Sequence, residues 1–426
     1  MTTWNLKTSE ISLVGLLAFT FLSLSLFSAN SYGYQVEGLF SAEVDVFDRS
    51  KEQRRSGIKQ ALEKVLIKVS GNRDVIFVPE LIPSEKQIER FVEQFRYSEI
   101  EIIEPEEPVV VEEGVLIDGA ISPELNVAEE EEASPELAEE PEPLPTWRLW
   151  VGFDSAAVLR LLQKANLPVW DKTRPLSLIW LAVEDETERY LLEPEIHGDT
   201  KQQIEQQAAD RGLPLVLPLM DLEDRASLSL TDVWGDFSDM ILPASRRYGV
   251  DTVLVGRVFR EHETSWLARW TLYEGQDVSQ WETQAETKDD VISEGVHAAA
   301  DVLARRYAQV LLANLEPPLT MVLKDINSFE QYAQAVKYLE SLTQIASLNV
   351  ATVSQDKVKL SLSIRGSRQG LEKVIELGGV LVKDEEEQNS SILLGNGVLA
   401  PLDMNQQTEI VPFMSPNQDL VYRLKL

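Results

Sequence analysis

The sequence predicts a multi-domain protein of mixed α+β and α/β class, built from small mixed sandwich modules and ending in a split-βαβ module. Three observations lead there. The 426 residues suffice for two or three domains that each bury a core. Apolar runs of strand length alternate with stretches of helical period. A Pro317-Pro318 pair punctuates the pattern before the last module, and a long acidic segment interrupts the first.

The chain opens on residues unlike the rest. Lys7 precedes an uncharged apolar run over residues 11–27, and Ser28, Ala29, Asn30, Ser31, Tyr32 and Gly33 follow. A positive start, an apolar stretch and a small-residue exit mark a secretory signal. Residues 1–33 are therefore read as a signal peptide cut before Tyr34, and the remainder as exported to the periplasm of a cell envelope. The run falls just short of the roughly 18 apolar residues that span a bilayer. Left uncut, it would be the chain's route to a membrane. There is no Cys, so neither lipid attachment nor disulfides are expected.

The first module is placed at residues 34–165. Val36, Leu39, Ala42, Val44 and Val46 suggest an extended stretch. A helix is predicted over 50–69, with Ser50 and Gln53 as a capping box. Ile58, Ala61, Leu62, Val65 and Val69 form its apolar stripe, and Gly71 sits at the C-cap. A second helix over 84–94 would lead into a strand at Phe95. Residues 101–146 then hold sixteen acidic side chains and no Lys or Arg, half of a net charge of −32. Repeated Pro and one sign of charge predict a disordered insertion. It reads either as a linker between domains or as an enlarged hairpin loop. Its flanks, residues 95–100 and 147–151, both look like strands, and loop closure entropy grows only logarithmically with length, which favours the hairpin. A short helix over 155–164 completes the module.

The central module, residues 166–315, alternates buried strands (176–183, 213–220, 250–258) with helices (200–211, 238–248). Two polar-alternating strands (264–273, 279–286) and a long helix (291–312) follow. This order indicates a mixed or parallel sheet finished by an antiparallel hairpin. In the last module, residues 316–426, Asn327 with Glu330 caps a helix carrying Phe329, Tyr332, Ala333, Val336 and Leu339. Val358, Leu360, Leu362 and Ile364 alternate with polar residues, and a helix over 369–377 stops at Gly378-Gly379 before a strand at 380–382. With strands near Met321 and Leu348 the order is β-α-β-β-α-β. Residues 420–426 alternate again and are expected at a sheet edge.

Motifs for chemistry are sparse. His197, His262 and His297 show no i, i+4 spacing, and without Cys the usual zinc patterns are missing. No nucleophile elbow, P-loop or dinucleotide fingerprint occurs. No catalytic residue, metal or cofactor is assigned. Three features remain. Asp221, Glu223 and Asp224 follow a buried strand, where α/β proteins hold ligands; they read as a solvated turn, a cation site or acid–base carboxylates. Trp266 and Trp270 share one strand face; they read as core beneath the closing helix, or as a platform for sugar rings or a partner's apolar patch. Eight Lys or Arg against two Glu lie between Arg49 and Arg73, with Lys51, Arg55 and Lys59 at i, i+4 spacing. That face reads as solvated, as a seat for the acidic insertion, or as a contact with anionic lipid or cell-wall polymer. The acidic balance argues against nucleic acid as a partner.

Several strings combine these features: residues 61–71; Leu167, Pro168, Val169 and Trp170 with Arg174, Pro175 and Trp180; Arg211, Gly212, Leu213 and Pro214; residues 218–224; and residues 244–248 before Gly256 and Arg257. Together they resemble the Gram-negative bacterial family known only as domain of unknown function 2066. The resemblance implies export and this module order, and it brings no catalytic residue. The resulting expectation is an exported, non-enzymatic binding or scaffold protein for an envelope protein or cell-wall component. The alternative is an envelope glycan hydrolase using Asp221 or Glu223, which requires a cleft with two facing carboxylates.

Overall fold

A computed structural model describes residues 33–81, 83, 85–100, 147–185, 188–262, 264–311, 318–384 and 419–425. The signal-like segment and the acidic insertion lie outside the described residues. The chain is a mixed α+β protein that divides into two compact units. The smaller comprises Ser41–Leu62 and Pro83–Asp154; the larger comprises Met1–Phe40, Glu63–Ile82 and Ser155–Leu426. Helix α1, Lys51–Ser70, contributes residues to both, and helix α2, Ser155–Lys164, belongs to the larger.

In the smaller unit, β1 (Ser41–Val46), β2 (Val92–Glu99) and β3 (Trp147–Phe153) form an antiparallel sheet in the order β1-β3-β2. Glu99 pairs with Trp147, so the two flanks of the acidic segment are indeed neighbours in one sheet. Ala42, Val44 and Val46 alternate inward with Leu149, Val151 and Phe153. Gly57 of α1 lies against Val44, Val46 and Leu149, where a Cβ would collide. Ser50 accepts from the Gln53 backbone as the cap requires. The helix predicted over 84–94 is instead a single turn, Glu85–Ile88, and a 3-10 turn, Glu89–Phe91. Pairing of Val92 onward with β3 overrides the helical pattern, and the Phe91 carbonyl accepts from Asp154.

The larger unit holds a six-stranded sheet made of β4 (Ser177–Glu184), β5 (Arg189–Leu191), β6 (Leu215–Val216), β7 (Thr252–His262), β8 (Ser265–Glu274) and β9 (Asp277–Ala285). Central β4 runs parallel to β7 and β6, and β7-β8-β9 is an antiparallel meander. Strand β4 is apolar on both faces because both are covered. Ile179, Leu181 and Val183 pack with helices α3 (Gly198–Arg211) and α7 (Lys288–Tyr307). Leu178, Trp180 and Ala182 pack under α5 (Leu230–Gly235) and α6 (Ser238–Ser245), which follow the short helix α4 (Leu222–Ser227). Helices α4 and α5 were not expected. The strand predicted over 213–220 shrinks to two residues because Pro214 and Pro218 at its ends lack ladder donors.

The same unit contains a five-stranded sheet covered on one face. Strands β10 (Leu319–Lys324), β11 (Ile345–Val353), β12 (Lys357–Ile364), β13 (Leu381–Lys383) and β14 (Leu420–Leu424) are ordered β11-β12-β10-β14-β13. Helices α8 (Phe329–Glu340) and α9 (Arg368–Gly378) supply the other half of its core. The βαββαβ order is as predicted, but the last strand is not at an edge: β14 is inserted between β10, to which it runs parallel, and β13, to which it runs antiparallel. The α8 cap sits one residue later than predicted: Ser328 accepts from Gln331.

Candidate functional site

Two buried arginines organise the larger unit, and they come from the strings that stood out in the sequence. Arg174 is fully buried. Its Nε donates to the Asp171 carbonyl at 2.9 Å, Nη1 to those of Arg211 (3.1 Å) and Gly212 (2.7 Å), and Nη2 to those of Lys68 (2.7 Å) and Trp170 (3.0 Å). Its guanidinium also lies 4.0 Å from the Trp170 ring centroid. Burial pushes its pKa down to about 9, which leaves it charged at neutral pH. Arg211 donates to the carbonyls of Gly71 and His297 and to the Asp301 carboxylate at 2.5 Å. These groups are structural: apart from the buried Nε of Arg211, which has no hydrogen-bond partner, the donors end on the chain's own backbone or on Asp301.

The acidic cluster is likewise engaged. Asp221 caps α4, accepting from the backbone of Glu223 and Asp224. Arg247 bridges Asp221 (Nη1–Oδ1, 2.7 Å; Nη2–Oδ2, 2.8 Å) and Asp224 (2.9 Å). Asp224 is buried and also accepts from Tyr248 and the Met220 backbone. The hydrogen bond from Arg247 holds the Asp221 carboxyl well below the usual carboxylate range. Burial, with the bond to Asp224, pushes Tyr248 up to about 12. The cation that these carboxylates hold is therefore a guanidinium. Among the described residues, no cluster of His, Asp and Glu fits a metal ion.

The Trp pair is core. Trp270 is 1% exposed, its indole packs onto Gly295 of α7, and Nε1 donates to Thr283. Trp266 packs at the border of the same cluster. The platform reading of Trp266 and Trp270 fails because α7 covers this face. On α1, Arg55 pairs with Glu89 at 3.1 Å, while Lys51 and Lys59 stay exposed. Arg49 and Arg54 turn their guanidinium groups onto Tyr97, Trp147 and Phe95. Much of the positive charge is thus used inside the smaller unit.

A cleft of about 450 Å³ lies where the chain leaves β6, with Met220 in its wall. Its other walls include Tyr190, Glu193, Ile196, His197 and Arg225. His197 stacks on Tyr190 (4.5 Å between centroids, 8° between planes), and Arg225 pairs with Glu193 at 2.6 Å. Ile196 in this wall is 69% exposed, and Leu219 and Leu222, flanking Met220 and Asp221, are 63% and 86% exposed. None of Asp221, Glu223 and Asp224 lines the cleft. The residues singled out after this strand, Asp221, Glu223 and Asp224, stand beside the cleft, and other side chains line it. The cleft joins two segments distant in sequence, residues 188–197 and 220–230, which no local pattern links. A larger recess of about 620 Å³ beside Arg73 and Asp301 is walled by ion pairs, Arg73 with Glu294 and Asp301, and Arg211 with Asp301.

Comparison with known proteins gives three findings. A family described as "Domain of unknown function (DUF8605)" matches residues 34–171, so this part of the chain is similar to an uncharacterised-domain family. The strings from Arg174 onward lie beyond the matched segment. No curated protein matches the chain. A solved structure titled "Crystal structure of uncharacterized protein" is 11% identical, covers 31% of this chain and 91% of its own, and has a TM-score of 0.15.

Proposed function

We propose that this chain is an exported periplasmic binding and scaffold protein that holds an envelope protein or a cell-wall component. We further propose that the chain after its signal-like segment, apart from the acidic insertion, belongs with the family of unknown function 2066. The signal-like residues 11–27 support export. Among the described residues, no helix is long and apolar enough to cross a membrane.

The observation that carries the binding reading is the cleft wall and the loop after β6. Three large apolar side chains, Ile196, Leu219 and Leu222, stand well exposed there. Exposed apolar surface with a few fixed polar groups is the composition of a recognition surface. The hydrolase alternative needs one carboxyl raised to act as acid and a second facing it across a cleft. Asp221 is lowered instead, and it shares Arg247 with Asp224.

A photo-crosslinking residue at Leu222, compared with one at exposed Glu340, tests this in intact envelopes. A discrete adduct from position 222 alone, lost in Leu219→Lys, is the expected result. Identical patterns from both positions would overturn the binding reading. Loss of an envelope-glycan cleaving activity in Asp221→Asn would restore the hydrolase.

A further inference from the structure

We propose that the cationic and aromatic surface at the start of α1 is the docking site of the chain's own acidic segment, residues 101–146. This surface is independent of the cleft: it belongs to the smaller unit, and the cleft to the larger.

Both ends of the segment are held next to it. The segment begins just after β2 and ends just before β3, and Glu99 and Trp147 are paired in the sheet. Val46, the last residue of β1, pairs with Trp147 from the other side, so the chain sets out for α1 from the same end of the sheet. Arg49 lies at this junction. Its guanidinium carbon is 5.0 Å from the Trp147 ring centroid and 5.4 Å from that of Tyr97. In the first turn of the helix, the Arg54 guanidinium stands 5.6 Å from the Phe95 ring.

These cations lack anions. Over residues 47–62 five Lys or Arg stand against Asp48 and Glu52, a balance of +3. Arg55 is paired with Glu89, and Asp48 accepts from the Ser50 backbone at 2.6 Å. Among the described residues, the side chains of Arg49, Lys51 and Arg54 form no ion pair and no hydrogen bond; Arg49 and Arg54 meet aromatic rings instead. A ring contact leaves a guanidinium its full charge and its N–H donors, and a side chain already held in place loses little freedom on meeting a carboxylate. Phe95, 43% exposed, adds apolar area to the same surface.

The acidic segment supplies what this surface lacks. It holds sixteen Asp or Glu and no Lys or Arg, and Ile102, Ile103, Val109, Val110 and Val111 stand among its carboxylates. A flexible chain of its length spans roughly 35–40 Å. The helix from Arg49 to Lys59 covers only about 15 Å, so every cation on this face is within reach. Attachment at both ends keeps the carboxylates there at an effective concentration on the order of millimolar. An anionic lipid head group or wall polymer must displace them to reach α1.

Salt gives the test its sign. A free polyanionic segment is stretched by self-repulsion and contracts toward its anchors when salt screens it. A docked one is released by salt and moves away. Because the chain has no Cys, a donor and an acceptor dye at Ser56→Cys on α1 and Asn126→Cys in the segment read this distance in the full chain. Expected is a separation that lengthens between about 0.1 M and 1 M salt, as the screening length falls from about 10 Å to 3 Å. It should approach the roughly 30 Å of an unattached chain of that span. Arg49→Gln combined with Lys51→Gln should give the longer distance already at low salt. A separation that shortens with salt, or one unchanged by the two Gln substitutions, would overturn the docking. Salt-sensitive binding of the parent to phosphatidylglycerol vesicles would in that case assign the face to anionic lipid.

Discussion

Replacing Arg174 by Met removes the guanidinium on which five backbone carbonyls converge, those of Lys68, Trp170, Asp171, Arg211 and Gly212. Met fills most of the stem volume, so the loss is chiefly polar. A buried carbonyl left without a donor costs about 1–3 kcal/mol. Arg174 is fully buried and the carbonyls surround it, so at least two of the five stay dry. That gives about 2–6 kcal/mol, and loss of the contact with the Trp170 ring adds about 1–2 kcal/mol. For a unit of this size about 4 kcal/mol corresponds to a fall of roughly 8–16 °C in melting temperature. Arg174→Lys should fall in between: an ammonium has three protons for five acceptors and cannot reproduce the planar fork. Calorimetry or circular dichroism of the three proteins measures the difference. If Arg174→Met melts within about 2 °C of the parent, the carbonyls find water and the cage is not what holds these segments together.

Gly295→Ala should destabilise by about 2 kcal/mol or more, because the new Cβ would stand inside the Trp270 indole; Gly198→Ala, with open space around it, should be nearly neutral, and melting curves of the pair separate the two effects. Asp221 is held below its ordinary value in the folded state by Arg247, so its contribution is complete above about pH 4 and is lost as pH falls below that. Asp221→Asn should therefore flatten the acid limb of a stability–pH profile, and an unchanged limb would refute the assignment. Asp384 is buried between Lys324 (2.8 Å) and Arg423 (2.9 Å), whose hydrogen bonds hold it below the usual carboxylate range. Its contribution likewise vanishes in acid, and Asp384→Ala should cost about 3 kcal/mol at neutral pH by denaturant titration.

Periodicity was read well where burial is one-sided. The alternation of Val358, Leu360, Leu362 and Ile364 fixed both the strand and its inward face, and Gly71 took the left-handed conformation its position required (φ +70°). Periodicity misled where tertiary pairing or proline overrode it, as at residues 84–94 and 213–220. The side chains that matter were harder to see. Trp270 has the alternation of an exposed platform and of a core strand alike, and only the position of α7 separates them. Arg174 could not be read as buried, because a lone Arg before a Pro has no sequence mark of a cage built from residues 68, 170, 171, 211 and 212. The carboxylates at 221–224 looked available because their neutralising group, Arg247, is more than twenty residues away.

The same facts explain why a sequence with such distinctive strings yields no catalytic motif. Lys68, Trp170, Arg174, Arg211 and Gly212 all belong to those strings, and all meet at one buried cage. So do Met220, Asp221 and Asp224 with Arg247 and Tyr248. These residues do architectural work: they supply polar contacts that tie distant segments of the chain together. A buried guanidinium tolerates few substitutes, since its partners would be stranded, so such positions are recognisable without being chemical. On the proposed binding reading, recognition falls where polar demands are not the issue, on exposed apolar surface. In this chain that means Ile196, Leu219 and Leu222 by the cleft. A variant set that alters these three and spares the two arginine networks separates recognition from folding. Its members should melt like the parent and differ from it only in what they bind.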